Sequence, residues 1–192
     1  LFGGIKRHIW WHQALMCFYK REFTTCLEMF DNFIFSEDEF YLDFCNTSSL
    51  LLRLHYQGID VEERMIKLKP LADHYSHQYL IPFIDYHLVF FYKYFNDVIH
   101  LEQMEEDILL HYKNTGFKTS VSKYLSPIIK SLTSAEIINE EIFNNAFQSL
   151  GGSFAQREII MLGLLNYSHN SKVQNKIKNI FNIKKSHSTN YV

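Results

Sequence analysis

The sequence is poor in the residues that build tight turns. Its 192 residues include only seven glycines and three prolines, whereas an all-β domain needs many turn residues between its strands. Hydrophobic residues make up 47% of the chain and aromatic residues 16%, which allows a substantial core and argues against disorder over most of the chain. These proportions favour a helical protein of one or two small domains.

A surplus of basic charge and a long apolar run are also missing. The formal net charge of −2 argues against a nucleic-acid partner, because phosphate contacts need an excess of lysine and arginine. The basic residues in 172–185 are interpreted as the solvated face of a last helix and a tail. No apolar run reaches the roughly 20 residues that span a bilayer, since charged side chains interrupt the best candidate, 80–95. We therefore expect no membrane partner.

Cysteine is scarce as well. Cys17, Cys26 and Cys45 are an odd number of thiols without a CxxC pair, which is typical of a reducing compartment where cysteines act as small apolar residues. We therefore expect a cytoplasmic protein without a signal peptide. Because the chain starts at Leu1 inside a helical pattern, we also expect it to be part of a longer protein.

Helical periodicity dominates what is present, and nothing in the sequence predicts a strand or a hairpin of strands. The segment 42–56 is strongly amphipathic and Gly58 follows it as a C-cap. About ten helices are predicted, over 5–19, 27–34, 42–56, the stretch after Asp60, 80–95, 98–112, 119–132, 135–150, 153–167 and the stretch after Ser171. Capping boxes are expected at 133–136, 153–156 and 171–174. Short connections make neighbouring helices antiparallel, so we predict an α-solenoid of stacked hairpins over 1–183 and a polar tail over 184–192.

The first predicted hairpin follows the tetratricopeptide pattern. Phe23 stands at the aromatic position after the turn, Cys26 at the small residue where the two helices touch, and Phe30 at the aromatic that fills the next groove. Arg21 occupies the turn position where this repeat usually has glycine. The fold class predicted is therefore an all-α, tetratricopeptide-repeat-like solenoid.

Five blocks of the sequence, in order and with compatible spacing, resemble the C-terminal part of the tetratricopeptide repeat protein 38 family. The blocks are "HIWWHQAL" (8–15), "FTTCLEMFD" (23–31), "LDFCNTSSLLLRLHYQGIDVEER" (42–64), "FIDYH" (83–87) and "GGSFAQRE" (151–158). The chain departs from the family's pattern at Trp10, Asn46, Met65 and Glu158. The resemblance implies an all-helical repeat fold without its N-terminal half, and it implies no particular reaction.

The pair His8 and His12 leaves two interpretations open. Four residues apart on a helix, the two imidazoles share one face and could supply two metal ligands. Zinc needs a third protein ligand, usually with a glutamate base nearby, and the sequence has no HExxH motif. The other interpretation is a pair of packing histidines whose ring nitrogens bond neighbouring groups. We therefore expect no metal and no cofactor.

A polar pocket is the third possibility for these blocks. A tetratricopeptide hairpin requires aromatic and small residues, and it gives no structural reason for so many histidine, aspartate and arginine side chains. If they converge on the inner face of the stack, they would form a site for a small polar ligand or a peptide carboxylate. The candidate residues are His8, Trp11, His12, Asp43, Arg53, Asp85, His87, Ser153, Gln156 and Arg157.

The block 151–158 has a sufficient structural explanation. Two glycines end one helix, and Ser153 with Gln156 caps the next. A glycine-rich helix N-terminus also binds anions, but neither a preceding strand nor a P-loop lysine is present. The first functional hypothesis is a helical scaffold that binds a protein or peptide. The alternative is a small-molecule or catalytic pocket built from the polar residues.

Overall fold

The computed structural model describes residues 2–37, 40–79, 82–115, 121–134, 138, 140–149, 153–167 and 170–188. Every regular element in these ranges is helical, which confirms the all-α prediction. The chain divides into two compact units, Leu1–Asp97 and Val98–Val192. The predicted single repeat domain over 1–183, with its tail over 184–192, stays a prediction.

The first unit contains six α-helices in its described residues. They are α1 (Phe2–Tyr19), α2 (Phe23–Met29), α3 (Tyr41–His55), α4 (Glu62–Lys67), α5 (Lys69–Tyr75) and α6 (Pro82–Tyr94), and a π-helical segment, Phe30–Ile34, continues α2. α6 is buried from Ile84 to Tyr92, within the helix predicted over 80–95. No helix in the described part of the chain is long and apolar enough to cross a membrane.

The second unit contains five α-helices in its described residues. They are α7 (Val98–Thr115), α8 (Ser126–Thr133), α9 (Glu140–Ser149), α10 (Phe154–Tyr167) and α11 (Ser171–Ser188), and a π-helical segment, Val121–Leu125, leads into α8. α9 begins at Glu140, five residues later than predicted. The predicted cap of α11 is wrong by one residue, because Asn170 Oδ1 accepts from the amides of Lys172 and Val173 at 2.9 and 3.3 Å.

Two predicted helix ends fall partly or wholly on residues that the structure does not describe. Gly151 and Gly152 lie outside the described residues, as does Glu136 of the predicted capping box. The other member of that box, Thr133, donates its hydroxyl back to the carbonyl of Ile129 at 3.2 Å. Thr133 therefore bonds within α8.

α1 and α2 form an antiparallel hairpin. Residues progressively earlier in α1 contact residues progressively later in α2 and its π-helical extension. The contacting pairs are Phe18 with Phe23 at 5.8 Å between ring centroids, Ala14 with Cys26, whose thiol donates to the alanine carbonyl at 3.3 Å, and Trp10 with Phe33 at 4.5 Å. Cys26 is fully buried, as expected for the small residue where two helices touch.

The turn of this hairpin uses a left-handed backbone. Arg21 has φ of 66°, a conformation that glycine adopts freely and that costs other residues about 1 to 2 kcal/mol. The sequence placed Arg21 where the repeat has glycine, and the backbone there is the one that glycine favours. Gly58, with φ of 80° after α3, confirms the predicted C-cap.

α3 lies between α1 and α6 in the first unit. Its contacts advance in the same direction as those of α1, so the two helices are parallel: Arg7 meets Asp43, His8 meets Asn46 and Trp11 meets Ser49. All residues from Asp43 to Leu54 are buried, so the polar side of this amphipathic helix does not face water.

Gly4 marks a close approach between α1 and Phe40. A Cβ added at Gly4 would lie 2.5 Å from the Phe40 ring, whereas one added at Gly3 would meet only the guanidinium of Arg7, at 3.3 Å. We expect Gly4→Ala to lower the free energy of unfolding by about 1 to 3 kcal/mol, because the packed ring must move. Gly3→Ala is expected to raise it by about 0.5 to 1 kcal/mol, because alanine favours the helix. Urea denaturation of both variants checks this, and equal effects would contradict the packing of Phe40 on α1.

Candidate functional site

The candidate residues fall into two groups, one in each unit. The first group lies on three neighbouring helices of the first unit: His8, Trp11 and His12 on α1, Asp43 and Arg53 on α3, and Asp85 and His87 on α6. The second group, Ser153, Gln156 and Arg157, lies at the start of α10 in the second unit. The two groups therefore belong to different compact units of the chain.

A buried ion pair joins α1 to α3. Arg7 donates from Nε to Asp43 Oδ2 at 2.8 Å, and its Nη2 lies 2.6 Å from the same oxygen. The Asp43 side chain is fully buried. Charge-assisted bonds of this kind are stronger than neutral ones, and a buried carboxylate needs such a partner. Asp43 therefore acts in helix pairing.

The two histidines of "HIWWH" contact each other. The Nε2 atoms of His8 and His12 lie 3.2 Å apart, and the rings meet edge to face with centroids 4.6 Å apart. His8 Nδ1 lies 3.3 Å from Asn46 Oδ1 on α3. Because an amide oxygen only accepts, His8 carries its hydrogen on Nδ1 and leaves Nε2 as an acceptor for His12. Partial burial and then His8 lower the pKa of His12.

Trp11 is the fully buried centre of the α1–α3 contact. Its Nε1 donates to Ser49 Oγ at 3.2 Å, and its ring stacks on His8 with centroids 5.4 Å apart. The guanidinium carbon of Arg53 lies 6.0 Å from the Trp11 ring centre, and Arg53 Nη1 donates to the Ser49 carbonyl at 3.0 Å. Trp11 therefore packs between the two helices, and Arg53, itself fully buried, lies beneath the indole.

Asp85 is a buried carboxyl group on α6. It is 2% exposed, and its Oδ2 has no hydrogen-bond partner among the described residues. Burial raises the pKa of Asp85 to about 7, because a charged carboxylate is poorly solvated there. Burial raises the pKa of the neighbouring Cys45 thiol well above its usual value, and the charges of Asp85 and Asp43 raise it further. A Cys45 thiolate nucleophile is therefore disfavoured.

His87 is buried on the same helix. Its Nδ1 donates to the carbonyl of Phe83 at 2.7 Å, one helical turn earlier. Burial lowers the pKa of His87 to about 4; the bond to Phe83 opposes this shift, and the charge of Arg53 adds to it. Near neutral pH, His87 is thus a neutral packing residue whose pKa is influenced by the charge of Arg53 on α3.

Ser153 and Gln156 form the predicted capping box. The backbone amide of Ser153 donates to Gln156 Oε1 at 2.8 Å, and the amide of Gln156 donates to Ser153 Oγ at 3.3 Å. Two donors at the start of α10 are thus satisfied by the chain itself. These bonds favour the structural interpretation of both residues over the binding of an anion there.

Arg157 connects α10 to the end of α9. Its guanidinium carbon lies 4.9 Å from the ring centre of Phe147, and its Nη1 lies 3.4 Å from the Phe147 carbonyl. A cation is favourable in the last turn of a helix, where carbonyls lack partners. Arg157 therefore packs between α9 and α10 within the second unit, where an aromatic ring and a backbone carbonyl are its neighbours.

The sequence reasoning missed Arg7 and Ser49 as members of this network, and it noted Asn46 only as a departure from the family pattern. Arg7 lies four residues before Trp11, so a helical projection of α1 centred on Trp11 would have placed it on the buried face. The Nδ2 atom of Asn46 is buried and has no hydrogen-bond partner among the described residues. No group of three histidine, cysteine or acidic side chains that could hold a metal occurs in the ranges that the structure describes.

The chain was compared with protein families and with solved structures. No family model matches it, and no solved structure matches it significantly.

Proposed function

We propose that the chain is a tetratricopeptide-repeat-like scaffold that binds a protein or peptide through an exposed face of α1. The antiparallel α1–α2 hairpin followed by a parallel α3 is the arrangement expected of one hairpin repeat and the first helix of the next. The five sequence blocks that resemble the tetratricopeptide repeat protein 38 family support the same assignment. The binding face is a separate observation and carries the functional part of the proposal.

This face, the α1 strip, consists of Ile5, Ile9, Met16 and Tyr19. Their side chains are 57%, 61%, 62% and 57% exposed, and their spacing of four, seven and three residues puts them on one side of the helix. The strip runs for about 20 Å at 1.5 Å per residue. The exposed His12 lies on the same side between Ile9 and Met16. Exposed apolar residues on one side of a helix commonly mark an interaction surface, and the α1 strip is the single observation that carries the proposal.

The charges around the strip indicate the chemistry of the partner. α1 contains no acidic residue, and the exposed Lys6 and Lys20 lie near its two ends. An amphipathic helix with an apolar face and acidic flanks would match both the strip and these charges. We therefore propose an acidic amphipathic helix of another protein as the occupant.

Selection of displayed helical peptides on the full chain tests this proposal. The selected peptides are expected to carry apolar residues at helical spacing with acidic flanks. Ile9→Glu should weaken their binding at least tenfold, because it places a charge in the centre of the strip. The matched control is Ile99→Glu, at a residue that is 79% exposed on α7, and it should change the affinity less than twofold.

Two outcomes would contradict the proposal. Peptides that bind wild type and Ile9→Glu equally would show that the strip is not the binding surface. A dimer of the chain in sedimentation experiments that Ile9→Glu converts to a monomer would assign the strip to self-association instead of an acidic partner.

A small polar ligand in the first unit is the second candidate. It is favoured by Asn46 Nδ2 and Asp85 Oδ2, a buried donor and a buried acceptor on neighbouring helices that lack partners among the described residues, since such groups are normally bonded. A screen of small polar molecules by thermal shift tests it. A compound that raises the melting temperature of wild type but not of Asp85→Asn is the expected result, and a screen without such a compound would count against this candidate.

A further inference from the structure

His8 and His12 meet with their Nε2 atoms 3.2 Å apart. Metal–imidazole bonds are about 2.0 to 2.1 Å long, so two nitrogens on one ion lie about 3.3 Å apart at a tetrahedral angle and about 2.9 Å apart at a right angle. The observed separation falls between these values. The two rings therefore have the spacing of a chelating pair before any metal is present.

The hydrogen on His8 is held away from this point. Asn46 Oδ1 accepts from His8 Nδ1 at 3.3 Å, so the lone pair of His8 lies on Nε2 and faces His12. A ligating histidine usually donates its other N–H to an oxygen acceptor, which fixes the ring and its tautomer. Asn46, buried on α3, provides such an acceptor.

His12 can supply the second lone pair without a change of net charge. It is an exposed residue, and a neutral imidazole can carry its hydrogen on either nitrogen. Transfer of the hydrogen from Nε2 to Nδ1, through solvent, frees Nε2 of His12, and a small rotation of the ring then points both lone pairs at one ion.

We propose that His8 and His12 form an open two-histidine chelate for a divalent first-row transition metal ion. From the sequence we expected no metal site, because a third protein ligand is missing; the described residues contain no group of three potential ligands. The site is therefore not a closed structural zinc site. Water, or a group of another molecule, completes the coordination, and imidazole ligands suit Ni²⁺, Cu²⁺ and Zn²⁺.

Titration of the untagged full chain with Ni²⁺ tests the chelate. We expect His12→Gln to weaken Ni²⁺ binding at least tenfold, because one ligand of a bidentate pair is lost. The glutamine amide can still donate to His8, so the melting temperature without metal should stay unchanged. His74→Gln is the matched control, since His74 is an exposed helical histidine with His77 close by in sequence, and it should change the affinity less than twofold.

Nuclear magnetic resonance locates the ion independently. Paramagnetic Ni²⁺ should broaden the ring signals of His8 and His12 first, together with backbone signals of α1. The proposal is overturned if wild type and His12→Gln bind Ni²⁺ equally, if the broadening centres on other histidines, or if wild type binds no Ni²⁺ at millimolar concentration.

Discussion

Replacement of Trp11 by alanine is expected to lower the free energy of unfolding by about 3 to 5 kcal/mol, the range seen for large aromatic side chains in cores. Trp11 is fully buried between α1 and α3. Its loss leaves a cavity, removes the bond to Ser49 Oγ and removes the ring that lies over Arg53. Urea denaturation followed by circular dichroism at 222 nm measures the change without relying on tryptophan fluorescence.

The adjacent Trp10 provides the control for this prediction. Trp10 is half-buried and stacks on Phe33 with centroids 4.5 Å apart, an aromatic contact worth about 0.5 to 1.5 kcal/mol. Trp10→Ala should therefore cost about 1 kcal/mol. Similar losses for the two variants would contradict the burial of Trp11 and the register of α1 against α3.

The second large effect concerns the pH dependence of stability. The pKa of Asp85 is raised to about 7 in the fold, so its contribution to stability is fully present below the unfolded pKa of about 4 and is lost as the pH rises through 7. The pKa of His87 is lowered to about 4, so its contribution is fully present above about 6.5 and is lost as the pH falls to 4. Between pH 4 and pH 6.5, the contribution of Asp85 to the free energy of unfolding falls as the pH rises, and that of His87 increases.

Wild-type stability should therefore change little between pH 4.5 and 6 as far as this pair is concerned, because the fold holds one proton on Asp85 and the unfolded chain holds one on His87. Asp85→Asn removes the contribution of Asp85 and leaves that of His87. The free energy of unfolding of this variant should therefore rise from pH 4 to 6.5 by up to roughly 3 kcal/mol. His87→Gln removes the contribution of His87 and leaves that of Asp85. The free energy of unfolding of this variant should therefore fall from pH 4 to 7 by up to roughly 4 kcal/mol.

Urea denaturation of the three proteins at half-unit pH intervals measures these slopes. The two variants serve as controls for each other, since they are expected to change in opposite directions over the same range. Parallel pH profiles for wild type and both variants would show that neither group has the buried environment described for it.

Periodicity predicted the helices well because it reports local burial, but it could not predict how helices pair. The ion pair of Arg7 and Asp43, two residues that are 36 positions apart in sequence, depends on the register between two helices. The cap of α11 shows the same limit. Ser171 and Asn170 are both good capping residues, and Nδ2 of the Asn170 side chain also donates to the carbonyl of Ile138, a contact far away in sequence.

The burial of the polar side of α3 was not predicted from the sequence. Its amphipathic pattern indicates a face exposed to water, yet that face is buried. Thr47 and Ser48 donate their hydroxyls to the carbonyls of Asp43 and Phe44, at 2.6 and 2.7 Å within the same helix. Each hydroxyl is thus satisfied without an external partner, and the sequence pattern alone does not distinguish such a self-bonded face from a solvated one.

The burial of α3 from Asp43 to Leu54 also bears on the order in which the first unit opens. Separation of α1 from α3 exposes the Arg7–Asp43 pair and the Trp11 pocket together, so small local openings of this surface are costly. Amide protons exchange through the least costly opening that exposes them. The amide protons of α3 should therefore exchange only when the whole unit unfolds. Their exchange then gives the free energy of unfolding of the unit, against which the smaller free energies of partial openings elsewhere in the unit can be compared.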